Sequence, residues 1–229
     1  MRRFIFFILA SLLLSCSPAN KYRNIPEVKS WESDIRNFEQ LDNCQKYPSD
    51  AIMFAGSSSI RLWDSIARDM APYPVIQRGF GGSKLSDVCI YARRIIDPHP
   101  CRAIVLFVAN DITGNKDDKT PEEVASLFRY LLRTIRRSHP LTPVFWIEVT
   151  PTASRWQVWP VIKKESTLIR NICSKNSNTY FIETSNAFLD KTGYPEKDLF
   201  RNDNLHLTQK GYDIWAELIK KALDRELKK

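Results

Sequence analysis

Short stretches far apart in this chain carry residue types that do chemistry together. Residues 51–63 read AIMFAGSSSIRLW, which places Ser57, Ser58 and Ser59 straight after an apolar run of strand length. Residues 201–207 read RNDNLHL, with Asp203 and His206 three positions apart. A serine hydroxyl is a poor nucleophile until a base takes its proton, and an imidazole serves best as that base when a carboxylate fixes its tautomer. Between them, GFGGS at 79–83 offers the backbone amide of Gly82, and AND at 109–111 offers the side-chain amide of Asn110. Either could donate to an oxygen that gains negative charge. Each residue also has a plainer use: serines cap helices, and glycine and asparagine close turns. Asp111 reads as structural.

The elements that must position these groups follow from periodicity. Strand-like runs fall at 51–55, 74–77, 102–108, 143–149 and 179–183. RAIVLFV at 102–108 is continuously apolar, as a central parallel strand covered on both faces requires. Helical patterns alternate with the strands. Trp31, Ile35, Phe38 and Leu41 form a first stripe, a helix resumes at Ile60, and another covers 85–96. Thr120 and Glu123 form a capping box around Pro121, ahead of a stripe of Val124, Leu127, Phe128, Leu131 and Ile135. Helices over 161–174 and from about Thr208, the latter with Tyr212, Trp215, Ile219 and Ala222, complete the set. Five alternations predict an α/β domain with a parallel sheet and helices on both faces. Open sheets of this kind place ligands at the carboxyl ends of their strands, where Ser58 and Asn110 both stand.

Taken together and in this order, GSS, GFGGS, AND and the Asp-x-x-His pair resemble the four blocks of the SGNH hydrolases, the GDSL-type esterase superfamily. The resemblance spans nearly all of the chain after its first segment. It implies that Ser58 is the nucleophile, with Ser57 where an aspartate is usual, and that His206 is the base, oriented by Asp203. It implies an oxyanion hole made by the amides of Ser58 and Gly82 and the side chain of Asn110. A glycine usually stands two residues before that asparagine; this chain has Val108, a departure that bears on the local backbone path. The implied fold is a three-layer α/β/α sandwich, flavodoxin-like, with a five-stranded parallel sheet. The implied activity is hydrolysis of a carboxylic ester through an acyl-enzyme, without metal or organic cofactor. The favoured substrate is an acetylated carbohydrate or other small ester. Lysophospholipids or thioesters with longer acyl chains are the enzymatic alternative, and a catalytically silent glycan-binding lipoprotein is the alternative of another class.

The remaining features bound the setting. Arg2 and Arg3 precede an apolar run over 4–14, too short for a bilayer span of about 20 residues, and the run ends at Ser15 and Cys16. Residues 1–15 read as a signal peptide. A small residue before Cys16 resembles the bacterial lipobox, which implies lipidation of that thiol, a tether over 16–26, a single domain over 27–229 and a place in the cell envelope, on its periplasmic or surface side. The 229 residues carry a formal charge of +8, and losing 1–15 removes two arginines and no acids, leaving +6. The basic residues are scattered, with no aromatic-basic interleaving or nucleic-acid motif, so a nucleic-acid partner is not expected. Cys44, Cys89, Cys101 and Cys173 lack metal-ligand spacing and are read as buried free thiols, a Cys89–Cys101 bridge being the pairing left open. His99 and His139 lie beside prolines and read as turn or surface residues. Arg155, Trp156 and Trp159 fall in a loop at the sheet edge and are candidates to line a substrate cleft.

Overall fold

The structure is a computed structural model that describes residues 17–227. The expected signal peptide over 1–15 and Cys16 lie outside the described residues. Among the described residues no helix is long and apolar enough to cross a membrane. After a single helical turn over Pro26–Lys29, the first long helix, α1 (Glu32–Cys44), leads to strand β1 (Ile52–Gly56) and two further single helical turns, α2 (Ser58–Arg61) and α3 (Ile66–Asp69). Then come β2 (Val75–Gly79), α4 (Leu85–Ile95), β3 (Ala103–Phe107), α5 (Pro121–Ser138), β4 (Val144–Ile147), α6 (Trp159–Ser174), β5 (Thr179–Ile182) and α7 (Gln209–Leu227). The five strands form one parallel sheet in the order β2-β1-β3-β4-β5.

Strand side chains alternate between the two faces, and here both faces are covered. Met53, Ala55, Ile104, Leu106, Val144 and Trp146 bury against α1, α4, α5 and α6. Ile52, Phe54, Val105, Phe145 and Ile147 bury against α2, α3 and α7, among them Trp63 and Trp215. The expected three-layer α/β/α sandwich with five parallel strands is what the chain forms. Because β1 is followed by β2 on one side and β3 lies on its other side, the chain changes direction between the carboxyl ends of β1 and β3. That is the switch point at which open α/β sheets leave a crevice.

Two glycines make the crevice possible. Gly56 ends β1 with φ +141°, and a Cβ there would lie 1.8 Å from the Phe107 carbonyl oxygen of β3. A Cβ on Gly79 would lie 2.4 Å from the Arg61 amide, so its absence lets α2 lie on the end of β2. The chain following β1 is thereby pressed against both neighbours.

Several expectations are corrected. The described part of the 16–26 segment is not a free tether: Ala19 is fully buried, a short turn over Asn20–Tyr22 packs on the domain, and Lys21 pairs with Glu123 at 3.1 Å. Leu41, expected on the buried stripe of α1, is 40% exposed, while its neighbour Asp42 points inward to Arg78. His99 and His139 are buried rather than superficial, and His99 Nε2 lies 3.2 Å from Asp42. Burial pushes the His99 imidazole below its ordinary range against the pull of Asp42. Cys44 is exposed, whereas Cys89 and Cys173 are buried and Cys101 half-buried; all four are free, so the Cys89–Cys101 bridge is not formed. Helix α6 starts at Trp159, two residues earlier than the periodicity indicated, with Pro160 accommodated in its first turn.

Candidate active site

Ser58 opens α2, directly behind Gly56, and is half-buried. Ser57 is buried and donates its amide to the Phe107 carbonyl at 2.9 Å, which ties the turn to the end of β3. From the other side Tyr212 of α7 donates its hydroxyl to the Ser59 carbonyl at 2.9 Å. A helix of one turn has little dipole, so the electrostatic help available to Ser58 comes from individual amides. The amide of Ser58 stands in the first turn, where a helix offers no internal acceptor.

His206 comes from the loop between β5 and α7. An antiparallel bridge between Phe200 and Leu207, and the Arg201 amide donating to the His206 carbonyl at 2.7 Å, fold that loop back on itself. Asp203 Oδ1 accepts the amides of Leu205 at 3.0 Å and His206 at 2.9 Å, while its Oδ2 lies 2.7 Å from His206 Nδ1. His206 Nε2 in turn lies 3.0 Å from Ser58 Oγ. Partial burial pushes the Asp203 carboxyl up, but the imidazole and the two amides outweigh it and hold it below the ordinary carboxylate range. Asp203 is therefore ionised at neutral pH, with a hydrogen-bonding demand that places the proton on Nδ1 and leaves Nε2 free to accept from the serine.

Across the switch point, Asn110 stands just beyond β3. Its NH2 donates to the Ser83 carbonyl at 3.2 Å, one of two available hydrogens. Gly82 sits beside it: a Cβ on Gly82 would meet Asn110 Nδ2 at 3.9 Å. Asn110 lines the space beside Ser58, with one hydrogen of its NH2 uncommitted, and Gly82 adjoins Asn110. Asp111 is structural, as expected: buried, it accepts the Leu85 amide at 2.8 Å and pairs with Lys119 at 2.9 Å.

The three residues expected to line a substrate cleft separate. Arg155 does reach the site, but to hold Asn110: one guanidinium nitrogen donates to Asn110 Oδ1 at 2.6 Å and another to the Ala109 carbonyl. Burial lowers the Arg155 guanidinium from its ordinary range, opposed by the carboxyls of Asp118, Asp111 and Glu165 around it. Trp156 and Trp159 stack on each other at 6.2 Å, Trp156 also meeting Tyr194 edge-on, and neither lines the space beside Ser58. Their indoles pack the loop onto α6.

The space beside Ser58 is a cavity of about 20 Å³, lined among others by Asn110, Thr150, Arg155, Leu205 and His206. That is room for one water-sized group. Thr150, whose hydroxyl accepts from Trp215 Nε1 at 3.1 Å, was not singled out in the sequence, because nothing near it in the chain signals a site. A hydroxyl, an imidazole and a carboxylate in series, with the NH2 of Asn110 at the same cavity, are groups that can carry acyl transfer.

Solved structures with this fold include a Streptococcus pneumonia protein named for platelet activating factor (TM-score 0.73, 18% identity, covering 94% of this chain and 99% of the other). A GDSL-like lipase from Bacteroides thetaiotaomicron superposes with a TM-score of 0.66 at 17% identity over 91% of this chain and 99% of its own. An acetylxylan esterase from Geobacillus stearothermophilus does so with 0.63 at 11% identity, over 80% and 95%. At such identities the likeness is one of fold. None of the curated proteins matches the sequence. The model of the GDSL-like Lipase/Acylhydrolase family matches residues 48–214, from just ahead of β1 into α7 and so across the whole sheet. The chain belongs to that family and is an ester hydrolase of the GDSL type.

Proposed function

We propose that this protein is a serine esterase that removes a short acyl group, acetyl above all, from a carbohydrate. The observation that carries the reading is the series Asp203–His206–Ser58, at 2.7 and 3.0 Å, opening on a cavity that admits one small group. His206 takes the proton of Ser58 as the hydroxyl attacks the ester carbonyl. The amides of Ser58 and Gly82 and the NH2 of Asn110 hold the oxyanion. As the carbonyl–oxygen bond to the alcohol breaks, His206 returns the proton to the leaving alcohol. Water, deprotonated by the same imidazole, then attacks the acyl-enzyme, and the acid departs as Ser58 recovers its proton. Each oxyanion donor contributes on the order of a hundredfold or more in rate.

The size of the cavity favours acetyl over the long acyl chains of lysophospholipids and most thioesters. The assembled series disfavours a silent glycan-binding protein. Ser58→Ala should abolish hydrolysis of nitrophenyl acetate while leaving the fold intact by circular dichroism. In the unaltered protein, kcat/KM should fall at least tenfold from acetyl to octanoyl esters. Undiminished activity of Ser58→Ala would remove that residue from the scheme, and a rise with chain length would overturn the acetyl preference. We further propose that Cys16 is lipidated and holds the enzyme in the cell envelope. The sequence around it supports this.

A further inference from the structure

The cavity beside Ser58 accounts for an acyl group and leaves the alcohol half of the ester unplaced. A second, larger space begins at the same Asn110 side chain. It runs over Gly82 and along the loop 113–118 as a cavity of about 540 Å³, and continues past Lys84 into another of about 660 Å³ beneath the N-terminal segment. Both volumes are of small-molecule size. The N-terminal segment contributes the half-buried aromatics Tyr22 and Trp31 together with Ile25, and also Glu27 and Ser30, with the Lys119 ammonium 4.9 Å from the Tyr22 ring centroid. The loop contributes polar lining, with Asp117 and Asp118.

The aromatic part of this lining is built rather than draped. Trp31 donates its indole hydrogen to Asp87 at 3.1 Å and meets Phe80 edge-on, with ring centroids 5.6 Å apart. Tyr91 donates its hydroxyl to the Val28 carbonyl at 3.1 Å. Arg94 holds α1 through Glu32 and Glu39 at 2.7 Å each. Tyr22, Ile25 and Trp31 lie ahead of residue 48, where the match to the family begins, while their supports Phe80, Asp87, Tyr91 and Arg94 lie within it.

We propose that this trough is the site for the alcohol half of the substrate and that it takes an uncharged oligosaccharide, with pyranose faces against Tyr22 and Trp31 and hydroxyls on the carboxylates of Asp117 and Asp118. The inference rests on the esterase reading and adds to it the place where the carbohydrate lies and its lack of charge. A pyranose has apolar faces and a polar rim, which matches a lining of aromatic rings and carboxylates. In the lining, the five acids Glu27, Asp87, Asp117, Asp118 and Glu123 outnumber the three bases Lys84, Lys116 and Lys119, so a phosphate or uronate would meet net negative charge. An acyl chain would lie against carboxylates along one side, which costs their hydration.

The test compares three acetyl esters: nitrophenyl acetate, O-acetylated xylohexaose and O-acetylated oligogalacturonate. The unaltered enzyme should prefer the xylohexaose over the galacturonate at least tenfold in kcat/KM. Tyr22→Ala should raise KM for the xylohexaose at least fivefold more than for nitrophenyl acetate. Asp117→Arg, at an exposed loop position that leaves the packing untouched, should narrow the neutral-over-anionic preference several-fold. Absence of that preference, or equal changes on all three esters in both variants, would overturn the trough. An unaltered enzyme inactive on nitrophenyl acetate would overturn the esterase reading itself, a separate result.

Discussion

An asparagine helps an oxyanion only if its NH2, and not its carbonyl oxygen, faces the reacting atom. In isolation the two orientations differ little, since both ends of the amide find hydrogen-bond partners. Arg155 settles the matter here, because a guanidinium only donates and so fixes Oδ1 of Asn110 toward itself at 2.6 Å. Withdrawing electron density from that oxygen also makes the opposite N–H a better donor. On the proposed mechanism Arg155 is thus a positioning residue, and its loss should appear in kcat with little change in KM. We expect Asn110→Ala to lower kcat about a hundredfold. Arg155→Ala should lower it roughly tenfold, and Arg155→Lys, which keeps one donor, should recover part of that. If Arg155 acts only through Asn110, the double variant will be no slower than Asn110→Ala alone; additive losses in this cycle would refute the arrangement.

At the scale of elements, the short helices and loops around Ser58 need ties that the sheet does not provide. Asp69, at the end of α3, accepts from Trp63 Nε1 at 2.8 Å and from Gln209 Nε2 of α7 at 2.9 Å, and also from Ser65. Burial raises this carboxyl, but the donors from Ser65, Trp63, Gln209 and Arg68 outweigh it and bring it from 3.8 down to about 2. A depressed carboxyl contributes stability that is complete above its unfolded value and is lost as pH falls through its folded one. Asp69→Asn should therefore be less stable at pH 7 by about 1–2 kcal/mol. The gap should narrow by roughly 1 kcal/mol on going to pH 3, as read by urea unfolding at each pH. A gap independent of pH would show that the carboxylate is not the tie. The same scale explains what could be read without coordinates. The five strands and the capped helix α5 were legible because apolar periodicity and the Thr120–Pro121–Glu123 signal are local. That Ser58, Asn110, Asp203 and His206 come together was legible because their types and order are unusual together. Partnerships set by tertiary contact were not: Asp42 with Arg78 and His99, 57 residues away, or Arg155 with Asn110, leave no mark in any single stretch. Trp156 and Trp159 misled for the same reason, since an indole's neighbours decide whether it faces ligand or core.

The molecule as a whole is one sheet with its chemistry at one edge and its first described residues folded beside that edge. Because Ala19 and Tyr22 belong to the packed body, the anchor proposed at Cys16 would be joined to it by almost no loose chain. Cys16→Ser should move the protein from the membrane pellet to the soluble fraction of fractionated cells without changing its rate on nitrophenyl acetate; continued sedimentation with membranes would dismiss the anchor. The docked segment has a geometric corollary. Six residue-to-residue steps lead from Cys16 to Tyr22, a stretch that spans no more than about 20 Å even when drawn straight. An enzyme so moored could not sweep outward on a long leash. Polymers would have to thread down to the bilayer to be trimmed, and whatever chains crowd that surface would be its first customers.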